Sequence, residues 1–182
     1  MNPMTTFLDL PVHALAVHAP VVLVPLLALL ALVYLFVPPL RRTVGWAVAI
    51  LTLIAPAAVY GAIWSGDQLA DFAGLSGRDD VVAHRGYGYR LLWILIGLVP
   101  VWWLFAGLDR GRRSAAARGG DAPAGEGDGG SAASEDPAAK GRRVVMVVFG
   151  LIALVLLALA AWMVFEAWHS GADMRWADYL NS

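Results

Sequence analysis

The sequence predicts an all-α fold: an integral membrane four-helix bundle with a long disordered loop between helices three and four. Three observations predict it. Of the 182 residues, 59 % are hydrophobic and only 15 % are charged, where a soluble domain carries about 25 % charged residues. The apolar residues gather into four blocks, each near the roughly 20 residues that cross a hydrocarbon layer about 30 Å thick. No block alternates as a barrel strand would, and in lipid each segment must satisfy its own backbone N–H and C=O groups, which leaves helices.

The helices are expected over about 14–37, 44–66, 86–108 and 144–168, within a single transmembrane domain spanning 1–182. The first stops at Pro38-Pro39, a pair that no helix continues through. The second ends at Ser65-Gly66-Asp67, the third at Leu108 and the fourth at Trp168. Pro20, Pro25, Pro56 and Pro100 fall inside spans, where each removes one backbone donor and can kink the helix. The start of the chain has no Lys or Arg before the first block and carries Asp9, so it is not expected to be a cleavable signal peptide. Residues 111–143 are rich in Gly, Ala, Ser, Asp and Glu and offer almost nothing to bury, so they are expected to form the disordered loop.

Orientation follows from the basic residues, which collect in cytoplasmic loops. Arg41 and Arg42 lie in the first turn; Arg110, Arg112, Arg113, Arg118, Lys140, Arg142 and Arg143 lie between helices three and four. These are nine of the thirteen basic residues, so that side is expected to be cytoplasmic, with both termini outside. The Ala-, Gly- and Arg-rich, Lys-poor usage resembles that of a high-GC bacterium, and the expected location is the bacterial cytoplasmic (inner) membrane. Trp46, Trp102 and Trp103 near one face and Trp64, Trp93, Trp162 and Trp168 near the other suggest interfacial belts.

The expected partners are the lipid bilayer, with redox membrane partners or further copies of the chain beyond it. A net charge of −1 gives no reason to expect nucleic acid, and the absence of cysteine excludes disulfides and iron–sulfur clusters. No GxSxG, HExxH or P-loop motif occurs, so an electron carrier or accessory membrane protein is expected rather than a stand-alone enzyme. A transporter is the weakest reading, since no ionisable residue sits mid-span and no internal repeat is evident. All four histidines, by contrast, fall toward the outer face. Imidazole ligates haem iron, Zn and Cu. His18, about a turn inside helix one, and His84, at the entrance to helix three, are the expected axial ligands of a b-type haem, with Arg85 or Arg90 neutralising its propionates. His13 and His18 are five residues apart, about 140° around a helix, so they do not share a face. The alternatives are a Cu or Zn site drawn from His13, His18, Asp67, His84 and His169, or a structural or interaction subunit that holds no cofactor.

The run Leu10-Pro11-Val12-His13-Ala14-Leu15-Ala16-Val17-His18-Ala19-Pro20 resembles the opening of a bacterial membrane family, domain of unknown function 2231 (DUF2231). Gly66-Asp67, His84 and the closing His169-Ser170-Gly171-Ala172 with Trp176 are similar to further motifs of that family. Ala14 stands where many relatives have Pro, and Ala19 where many have Phe. The resemblance covers about residues 8–108 and 144–177. It implies a four-helix membrane protein of unassigned biochemistry, and the Rieske-type domains joined to some relatives lean toward electron transfer. The charge distribution makes one expectation testable at once: a reporter fused within 121–136 reads as cytoplasmic, and an external reading would reverse the assignment.

Overall fold

The computed structural model describes residues 6–7, 10–120 and 137–180. Two short strands, β1 (Thr6–Phe7) and β2 (Leu10–Pro11), pair antiparallel ahead of the helices. The first span is then made of α1 (Val12–Ala16) and α2 (His18–Phe36). They are parted at Val17, because Pro20 has no N–H to give the Ala16 carbonyl. A 3-10 turn, Pro38–Leu40, reverses the chain into α3 (Arg41–Ala73), which is followed by α4 (Asp79–Gly120) and α5 (Pro137–Leu180). Four helical spans are each long and apolar enough to cross a membrane. The helical bundle is as expected.

Packing is circular: α2 lies against α3, α3 against α4, α4 against α5, and α5 closes onto α2. Ala31, Ala55, Ala153 and Ala160 are buried where the helices meet, and small residues there let backbones approach. Leu27, Leu95, Leu98 and Leu157 fill the layers between them. Outside, Val22, Leu29, Leu53, Trp93, Leu151 and Val155 are exposed, as a surface meeting lipid rather than water requires. Seven of the eight tryptophans are exposed and suit the belts, but Trp102 is a core residue, packed 5.2 Å from the Tyr34 ring.

The expected boundaries need correcting. Ser65-Gly66-Asp67 does not end the second span; α3 runs on to Ala73 and closes at Gly74, whose φ of 68° is the left-handed cap conformation glycine adopts most readily. α4 starts before 86, and α5 continues past 168. Within the expected loop 111–143, residues 111–120 and 137–143 are helical, because the Ala-rich run after Arg113 propagates a helix already nucleated in the bundle. The remainder, 121–136, lies outside the described residues. At 33 residues or more, α3, α4 and α5 each exceed about 45 Å and must project beyond the hydrocarbon.

One end of the bundle is held by a charge that the sequence reading passed over by stopping the third span at Leu108. Asp109 is fully buried. Its Oδ1 accepts from Arg41 Nη1 at 3.0 Å and Arg112 Nη2 at 3.3 Å. Its Oδ2 accepts from the Tyr34 hydroxyl at 3.0 Å and lies 3.0 Å from Arg113 Nε. Arg41 also donates to the Tyr34 and Leu35 carbonyls at 2.8 and 2.9 Å, covering orphan acceptors at the end of α2. Breaking a buried ion pair by removing one partner costs about 3–5 kcal/mol. Asp109→Asn is therefore expected to lower the unfolding free energy by about 3 kcal/mol in detergent, read by thermal unfolding; an unchanged midpoint would show the network to be dispensable.

Candidate functional site

At the opposite end, two histidines meet. His13, on α1, and His84, on α4, have ring centroids 6.2 Å apart and planes at 87°. Each packs against the partner helix of its own hairpin, His13 against α3 and His84 against α5. His13 Nδ1 lies 3.0 Å from the Ala62 carbonyl and 3.3 Å from Ser65 Oγ, both on α3. His84 Nδ1 lies 2.9 Å from Ser170 Oγ on α5. The serines use their own protons inside their helices: Ser65 donates to Ala62 O at 2.9 Å and Ser170 to Ala167 O at 3.2 Å.

These bonds assign the tautomers. A carbonyl only accepts, so the His13 proton is on Nδ1. Ser170 has spent its proton on Ala167, so its oxygen accepts from His84 Nδ1–H. Both neutral rings therefore carry a bare Nε2. A ring nitrogen anchored on a backbone carbonyl or side-chain oxygen, with the other left as a lone pair, is the usual state of a metal-ligating histidine.

Glycine makes the approach possible. A Cβ on Gly66 would stand 2.9 Å from His13 Cε1, and one on Gly171 would stand 3.2 Å from His84 Cε1. The same unit thus occurs twice, Ala62-x-x-Ser65-Gly66 under His13 and Ala167-x-x-Ser170-Gly171 under His84. Two successive hairpins carry it, so an internal repetition of structure exists that the apolar pattern did not reveal.

The expected site residues divide accordingly. The structure joins His84 to His13, while His18 is exposed on α2. Position five on the helix turns away, and His13 is the one facing inward. Asp67 is paired with Arg85 at 2.9 Å. Arg90 lies over the Tyr87 ring at 5.6 Å. His169 is exposed, 3.1 Å from Asp173 and stacked on Phe165. The five-residue metal set is not assembled: among the described residues no three His, Asp or Glu side chains converge. Ser65 and Ser170, absent from the expected set, are the residues that hold the rings. Their signal in the sequence was the repeated Ser-Gly.

The glycine cradles give a sharp test. Gly66→Ala is expected to lower stability by about 1–3 kcal/mol through overpacking, Gly171→Ala by less, and Gly61→Ala, which meets nothing within 4 Å, not at all. Equal thermal midpoints for Gly66→Ala and Gly61→Ala would refute the close fit. Compared with protein-family models, curated proteins and solved structures, the chain matches none.

Proposed function

We propose that the protein is a membrane electron carrier that binds a b-type haem between His13 and His84, on the extracytoplasmic side of a bacterial inner membrane. The observation that carries this reading is the anchored imidazole pair. The two ring centroids lie 6.2 Å apart with each Nδ1 anchored, so His13 and His84 are the residues that would hold the haem iron, through Nε2. Axial haem ligation needs only two protein donors, whereas a zinc site ordinarily needs three or four. No third donor converges here among the described residues. Bound haem would supply one-electron redox chemistry; the chain's own part is to fix the two rings and hold their tautomers. The Arg-rich end, by the distribution of basic residues, faces the cytoplasm. The opening and closing motifs that resemble those of DUF2231 support placing the chain with that family.

A second reading has one observation in its favour. Each ring is already bonded and packed on glycine, so the pair could serve as a clasp between hairpins in a structural subunit.

Spectra separate the two. Protein purified with haem supplied is expected to show the Soret and α bands of a low-spin bis-imidazole haem, at one haem per chain. His13→Ala and His84→Ala abolish them, His18→Ala retains them, and Ser65→Ala or Ser170→Ala weakens affinity about 10–100-fold. A colourless protein after reconstitution, or bands lost only with His18, would overturn the assignment.

A further inference from the structure

The arginine end contains a crevice of about 350 Å³ between α2, α4 and α5. Its floor and walls are apolar, including Phe36, Phe105, Met146 and Leu151, and its rim carries Arg41, Arg112 and Arg143. The charges at this rim do not balance. Arg41, Arg112 and Arg113 converge on the single carboxylate of Asp109, leaving two positive charges in excess. Arg143 adds another, with no ion pair among the described residues. A bare excess of guanidinium at the edge of an apolar crevice calls for an anion with an apolar body.

The dimensions agree. From Arg143 to Leu154, both lining residues, α5 advances eleven residues, about 16 Å. That is about half of a 30 Å hydrocarbon layer, the depth of one leaflet. Gly150 lies along this path, its missing side chain leaving the Phe105 ring as the wall; a Cβ there would stand 3.4 Å from that ring. Val147 and Leu151 on the crevice lip are exposed, so the opening faces the bilayer.

We infer that this crevice holds one anionic phospholipid, its phosphodiester against Arg143 and Arg112 and an acyl chain along α5 past Gly150. The site is independent of the histidine pair and of any cofactor there. Arginine suits the headgroup because its planar fork matches phosphate oxygens in pairs. Of the rim residues, Arg143 contributes most to selection, since Arg41 is committed to Asp109 and the α2 carbonyls.

Native mass spectrometry of the full-length protein in detergent tests the inference, with palmitoyl-oleoyl phosphatidylglycerol, the corresponding phosphatidylcholine, and inorganic phosphate as probes. One phosphatidylglycerol is expected to be retained at least about tenfold better than phosphatidylcholine. Arg143→Gln is expected to reduce that retention about fivefold. Gly150→Leu, which fills the crevice and leaves every charge in place, reduces it as well, while Arg175→Gln at the far end leaves it unchanged. Equal retention of the two lipids, or wild-type retention in both Arg143→Gln and Gly150→Leu, would overturn the proposal. Displacement of phosphatidylglycerol by millimolar phosphate would also overturn it, by making free phosphate the ligand.

Discussion

The geometry of the bundle hangs on one buried carboxylate. Asp109 lies on α4, yet its partners come from three places: Tyr34 at the end of α2, Arg41 at the start of α3, and Arg112 and Arg113 one turn along its own helix. A charge without solvent must be fully paired to be tolerated. Pairing it here locks the reversal between the first two spans to the same end of the third. The tight Pro38–Leu40 turn leaves the α2 carbonyls orphaned, and Arg41 satisfies them with the same guanidinium that meets Asp109. Helix termination, turn and tertiary contact are therefore one interaction.

With that end pinned, the far end is set by helix length and by how closely the hairpins approach. There the chain uses a neutral device twice over. A serine bonds back to the carbonyl three residues earlier, the next residue is glycine, and a histidine from the partner helix lies over both. The serine hydroxyl is satisfied locally, so it can only accept from the imidazole. Local helix chemistry thus determines the protonation pattern of a long-range contact. The two ends differ in kind: one is held by a buried charge, the other by neutral imidazole–serine contacts with the Asp67–Arg85 ion pair beside them.

Much of the architecture was legible in the sequence, because a 20-residue apolar run has few alternatives in lipid. The four spans, and the proline turn after the first, follow from that constraint alone. What misled was punctuation. Ser-Gly-Asp reads as a helix stop in water, whereas here the glycine is a contact surface inside a helix whose stop is Gly74. A span that stops at Leu108 leaves Asp109 outside it, and only the spatial arrival of Arg41 and Tyr34 makes that charge tolerable inside. At the histidine end the residue types were visible but the pairing was not. Choosing between His13 and His18 required knowing which way α1 faces after the break at Val17, a matter of packing that five-residue spacing leaves open.

The neutral character of the imidazole pair bears on what it can hold. Two neutral imidazoles would leave a divalent ion with its whole charge in a low-dielectric setting, and the carboxylate beside them, Asp67, is already neutralised by Arg85. Burying such a charge unpaired is severely unfavourable. Porphyrin changes the balance, because its two negative charges offset those of ferrous iron and leave at most one after oxidation. On the proposed reading, the site needs no third His, Asp or Glu donor, and among the described residues none converges there. On that reading the protein would supply two bare nitrogens, and the cofactor would bring its own counter-charge.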